Sequence, residues 1–262
     1  VSADSARSRG EAALERARRF DRGLVDRHFL VPGILAWGEW RWEAAEVAFR
    51  RALALDPEGA ELHAFYSQFL TFFGRFDEAE EHGRTAVELD PLNPFVLALR
   101  GTQQMLARQP EEAIRTLEAL YDQNPGVGIG EAGLRDAYHM VGRHDDEVRI
   151  TREHHAARGQ GDVVAALDAG TREGGPHVAL GRAADVLATT SRETGAIRVA
   201  GYYGLAGRHE EALEWLRIGV EQRDANVPVA GVLPNFWPLH ADPRFHAIIE
   251  EIGLPVIPAG AR

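Results

Sequence analysis

The apolar positions of this chain recur on two scales. Within short windows they fall three and four residues apart: Ala45, Phe49, Ala52 and Leu53 form one series, and Phe76, Ala79, Ala86 and Leu89 form another. That spacing puts each series on one face of an α-helix, so each stretch reads as a strongly amphipathic helix. Over longer distances the pattern repeats every 34 residues, as in Ala45, Ala79 and Ala113, and again in Pro57, Pro91 and Pro125, which follow Asp56, Asp90 and Asn124. A fixed period of this length marks an array of helix-turn-helix units, each burying a face its neighbour leaves open. The small residues let paired helices approach closely, and the proline ends the second helix where the chain turns back.

In chain order, residues 11–20 read as the second helix of a unit that starts at or before residue 1, with Asp21 as its stop. Residues 24–37 supply the next first helix, bent by Pro32 and Gly33, and the turn that follows carries Trp40 and Trp42. The pairs 60–73 with 77–88 and 94–107 with 110–121 make two further units; Asp77 is expected as a helix cap and Pro110 in a first turn. A fourth unit over 129–158 keeps Ala137, Tyr138 and Gly142, and an extra residue around 143–148 ends the strict period. Less regular helices over 162–172 and 177–192 are separated by the break at 173–176. The pattern returns in 195–205 and 207–216. Segment 226–238 holds three prolines and is expected to expose Val229, Val232, Phe236 and Trp237. A last helix over 243–252, capped by Asp242, covers the final apolar face. The whole of 1–262 is thus one domain, with regular repeats over about 11–158, irregular helices over 159–192, a final repeat over 193–224 and a terminal cap over 225–262.

The run Gly74-Arg75-Phe76-Asp77-Glu78-Ala79, continuing to Ala86-Val87-Glu88-Leu89-Asp90-Pro91, resembles the second half of a tetratricopeptide repeat. The resemblance implies an all-α fold, a right-handed α-solenoid of five or six such repeats with a C-terminal capping segment. It also implies a non-catalytic scaffold for protein–protein interaction, holding a partner peptide or helix in the concave groove. The groove positions it implies include Trp37, Gln68, Phe72, Thr102, Met105, Asp136 and His139. The tryptophan-rich turn and the ending over 239–255 are similar to the C-terminal arrays of bacterial multidomain signalling and transcriptional regulators. That likeness, with the start at Val1, leads to the expectation of a cytoplasmic module trimmed from a longer regulatory protein.

Composition narrows the chemistry. No cysteine is present, which removes disulfides, thiolate metal sites and a cysteine nucleophile. All 29 basic residues are arginine, and the formal charge of −11 argues against general nucleic-acid binding. No apolar run is long enough to span a bilayer. The glycines at 126–130 lack the preceding strand and following lysine of a phosphate loop, and Ser67 and Ser191 have no base partner in the pattern. No catalytic constellation or cofactor is expected. Among the 11 histidines, His144 and His154 lie roughly 15 Å apart on one helix. A set drawn from His139, Asp145 and His177 follows no familiar ligand spacing. No metal is therefore expected, and the histidines read as solvated. The alternative to a scaffold is a small-molecule sensor or atypical enzyme whose pocket is closed by residues 139–192. A third expectation is self-association through Phe236 and Trp237.

Overall fold

The computed structural model describes residues 28–190 and 195–258, together with the helical positions Ala12, Glu15, Arg16 and Arg19. The expected helix over 11–20 and its stop at Asp21 otherwise lie outside the described residues, as does Ser191. Among the described residues every regular element is helical. The first is α1 (Leu30–Gly33), which runs on as a π turn over Ile34–Gly38; the bend expected from Pro32 and Gly33 takes this form. Then come α2 (Trp42–Leu55), α3 (Ala60–Thr71), α4 (Phe76–Leu89), α5 (Pro94–Leu106), α6 (Pro110–Gln123), α7 (Gly128–Met140) and α8 (His144–Ala157). They are followed by α9 (Gly161–Gly174), α10 (Pro176–Thr190), α11 (Ala196–Leu205) and α12 (His209–Glu221). Two 3-10 segments, Val227–Gly231 and Pro234–Ala241, and α13 (Pro243–Glu251) are the last elements among the described residues. Successive helices pair and stack as an α-solenoid.

The 34-residue period is visible in the backbone. Ala45, Ala79 and Ala113 are fully buried where the paired helices cross. Asp56, Asp90 and Asn124 cap α2, α4 and α6 in nearly identical non-helical conformations (φ −139°, −142° and −138°), in keeping with the exclusion of the helical region by a following proline. The corners between paired helices show the same register: Trp40, Gly74, Arg108 and Gly142 all have positive φ. Only glycine adopts that conformation without strain, so Trp40 and Arg108 are held there by other contacts. Pro110 opens α6 as expected, but Asp77 is not a cap, because α4 begins one residue earlier and Asp77 sits in its first turn.

Those contacts come from the far end of the chain. Arg108 stacks on Trp237 at 4.5 Å, and Arg223 stacks on Trp40 at 5.1 Å. Trp42 donates its indole N–H to the Ile252 carbonyl at 2.8 Å, and Ile257 packs over Gly74. The array therefore curls until its last segment seats on the corners of its first repeats. Segment 226–238 is not the exposed apolar stretch its prolines suggested. Phe236 is fully buried, Val232 is buried, and Val229 and Trp237 are half-covered, because the closure lays this segment against α11 and α7.

Candidate functional site

Closure turns the concave side into a chamber of about 440 Å³. Its wall takes residues from α1's π turn (Trp37), α3 (Gln68), the residue after it (Phe72), α5 (Thr102, Met105) and α7 (Asp136). Six of the seven positions expected in the groove therefore line one cavity. His139 does not; it turns behind the wall to the carboxylate of Glu147. The opposite wall comes from α8, α11 and the 3-10 segments, whose pattern carried no groove signal. Those residues become neighbours of Trp37 only because the array closes.

Most of the apolar lining also packs the repeats together. Trp37 meets the rings of Phe49, Phe65 and Phe72 edge-on at 5.7 to 6.3 Å, and Phe72 and Met105 are almost completely buried. Thr102 donates back to the Ala98 carbonyl in its own helix, and Gln68 donates to the Leu99 carbonyl, so the amide is tied to the neighbouring repeat. These side chains shape the chamber more than they offer polar groups to it.

The polar chemistry is concentrated on α7 and α8. Arg135 donates to Asp136 at 2.7 Å and lies 5.0 Å from the Tyr202 ring centre. Burial pushes the Asp136 carboxyl above its ordinary value, against the pull of Arg135. The Tyr202 hydroxyl lies 2.9 Å from His155 Nε2, whose Nδ1 lies 2.6 Å from the Gln160 side-chain oxygen. Since that oxygen only accepts, Nδ1 carries the proton and Tyr202 donates to Nε2. Burial holds His155 down at about 4, in keeping with a neutral ring. One residue earlier, His154 Nδ1 lies 2.5 Å from Glu131, which also accepts from Arg158 and from the Gly126 amide. Burial lowers His154 as well, against the pull of Glu131. Neither histidine is the solvated helix-surface residue its sequence position suggested. Asn235 lines the chamber with its Oδ1 buried and, among the described residues, without a hydrogen-bond partner.

Charge is distributed unevenly. The lining holds three arginines, Arg135, Arg158 and Arg198, against two carboxylates, Glu131 and Asp136. In a chain of net charge −11 this is a local basic surplus facing a partly apolar hollow. The chamber's Thr151 is turned away from any base and donates to the Glu147 carbonyl, as the nearby Ser67 does to the Ala79 carbonyl.

Residues 36–101, which include the period-setting corner at Gly74 and the crossing alanines Ala45 and Ala79, match the family model described as tetratricopeptide repeat. Residues 36–101 carry tetratricopeptide repeats. No curated protein matches the sequence. Among solved structures, the chain is similar to one titled crystal structure of MamA protein, at 16% identity and a TM-score of 0.42, covering 74% of this chain and 89% of that one. It is similar to a structure titled functional characterization of Pseudomonas aeruginosa pilF, at 19% identity and a TM-score of 0.41, with 94% and 99% covered. It is also similar to a chain in the structure of Naa15/Naa10 bound to HypK-THB, at 15% identity and a TM-score of 0.38; there it covers 96% of itself and 38% of that chain. Tetratricopeptide arrays serve in general as protein-interaction scaffolds. Among the described residues, no helix is long and apolar enough to cross a membrane.

Proposed function

We propose that this tetratricopeptide array is a non-catalytic recognition module whose chamber receives an apolar chain end carrying a carboxylate, supplied by a partner protein. The observation that supports this reading is the chamber itself, an apolar hollow with a surplus of arginine and an unpartnered amide oxygen. A whole helix, 10–12 Å across with its side chains, would fill roughly 440 Å³ in about one turn, so the occupant is a short tail rather than a helix laid along an open groove. A volume of about 440 Å³ also lies within the usual range for small-molecule sites. The same chemistry can therefore come from a free apolar acid, which would make the module a sensor. Self-association through the 226–238 segment has less to support it, since Phe236 is covered by the chain itself. The resemblance to regulator arrays extends the proposal to a cytoplasmic module of a longer bacterial regulatory protein.

Calorimetric titration with three probes tests the reading: an acetylated leucine tripeptide with a free carboxylate, its C-terminal amide, and octanoate. The free acid should bind, with the amide at least tenfold weaker, because a charge-assisted hydrogen bond contributes about 1.5–3 kcal/mol. Arg158→Gln or Arg198→Gln should remove that difference. Binding of octanoate in place of the tripeptide would favour the free acid as the natural occupant. Equal binding of acid and amide, or no binding of any probe, would overturn the proposal.

A further inference from the structure

A second cluster lies behind the chamber wall, where three helix ends meet. His139 is in the last turn of α7, His144 and Glu147 are in the first turn of α8, and His177 is the second residue of α10. The Glu147 side chain has no exposure to solvent. One of its oxygens lies 3.1 Å from His139 Nδ1 and the other 2.8 Å from His144 Nδ1. One ligand atom from each of these three residues falls within 4.8 Å of the other two. We propose that His139, His144 and Glu147 bind one divalent transition metal ion, zinc by preference, with His177 closing the fourth position.

The geometry brings three ligands together and sets the His177 ring beside them. Zinc binds imidazole nitrogen at about 2.0–2.1 Å and prefers a tetrahedron in closed sites. Ring centres then lie roughly 3.2 Å from the metal and about 5 Å from one another. The His139, His144 and His177 rings stand 5.4, 5.1 and 6.5 Å apart, the longest separation being between His139 and His177. Tetrahedral ligand atoms are about 3.3 Å apart at those bond lengths, so the contacts to Glu147 need to open by only a few tenths of an ångström. His177 is also set up as a metal ligand by its other nitrogen. Nδ1 donates to the Leu205 carbonyl at 3.0 Å, which leaves Nε2 with the free lone pair, the usual arrangement of a metal-bound histidine. A buried carboxylate between two imidazoles, with a third at the exposed edge, suits zinc better than calcium or magnesium, which take oxygen ligands. The ligands come from two adjacent helix pairs, so the ion would tie α7 and α8 to α10 just behind Asp136.

The test uses the intact chain, stripped with a chelator and titrated with Co²⁺ while the visible d–d bands are recorded. One equivalent per chain should give the intense bands of tetrahedral cobalt, and zinc should displace it. His144→Ala and Glu147→Gln should each weaken Co²⁺ at least tenfold. His177→Gln should retain binding but lose intensity, as a water replaces the fourth ligand. His144 is partly exposed, so its variant keeps the test informative if the buried Glu147 variant fails to fold. The control is His82→Gln, which breaks the distant His63–His82 contact, whose Nδ1 atoms lie 2.8 Å apart. Absence of tetrahedral bands in the wild type, or their loss in His82→Gln with retention in His144→Ala, would overturn the proposal.

Discussion

The closest internal fit in the array involves Leu117, and it allows a quantitative test. Leu117 is 1% exposed and rests on three glycines of neighbouring helices. A Cβ placed on Gly101 of α5 would lie 2.3 Å from its Cγ, while Cβ atoms on Gly133 and Gly130 of α7 would lie 3.2 and 3.6 Å from its two methyls. The leucine has no free side toward which to retreat. In an ordinary helix interior Gly→Ala stabilises by about 0.5–1 kcal/mol; at Gly101 overpacking of about 1–3 kcal/mol opposes it, so Gly101→Ala should destabilise by about 1–2 kcal/mol net. Leu117→Ala should cost about 2–5 kcal/mol through the cavity it opens. The two substitutions together remove the clash and place a methyl in that cavity. The double variant should therefore be at least about 1 kcal/mol more stable than the sum of the single effects, a coupling of the size expected for touching residues. Urea unfolding followed by far-ultraviolet circular dichroism on all four proteins measures it. Additive effects would refute the idea that this glycine is required by the leucine above it.

The remaining predictions concern closure and pH. Trp42→Phe removes the donor to the Ile252 carbonyl and should cost about 1–3 kcal/mol; amide exchange should quicken first in 252–258 and in the corners they cover, and uniform quickening would contradict a local clasp. Arg108→Gly relieves a residue at φ 62° while losing its stack on Trp237. These effects are each about 1 kcal/mol, so global stability should hardly move while exchange in 234–241 accelerates; a large stability loss would show that the corner depends on other contacts. His155 is lowered from its ordinary 6.5 to about 4 by burial. As pH falls the unfolded chain takes up this proton first, so the residue's contribution is complete above 6.5 and is lost between there and about 4. Unfolding midpoints across that window should fall less steeply in His155→Gln than in the wild type; parallel slopes would mean His155 is charged in the fold.

The linear order of helices was legible because a repeat array is almost one-dimensional: each unit contacts its neighbours, and crossing alanines, turn residues and prolines recur with the period. The groove positions Trp37, Gln68, Phe72, Thr102, Met105 and Asp136 were implied by the resemblance to tetratricopeptide repeats, and these six line the chamber. The strained corners could be located from the sequence too, since Trp40 and Arg108 stand in register with Gly74 and Gly142. What holds them there could not. Their partners, Trp237 and Arg223, are more than a hundred residues away in the chain and meet them only through the curl of the whole array. The burial of Phe236, the far wall of the chamber and its surplus of arginine depend on that same closure. So does the placement of Asn235, whose Oδ1 is buried without a hydrogen-bond partner among the described residues and whose backbone carbonyl would lie 2.4 Å from a Cβ at Gly204. The histidine cluster escaped a spacing argument for a related reason. His139 and His144 flank a turn and His177 begins a helix 33 residues further on, so the approach of three helix ends, rather than a motif along one helix, brings the first two nitrogens to Glu147 and the third ring against theirs. Local sequence set the helices and their repeat because those depend on neighbours in the chain; the chamber and the histidine cluster depend on how the turns add up in space.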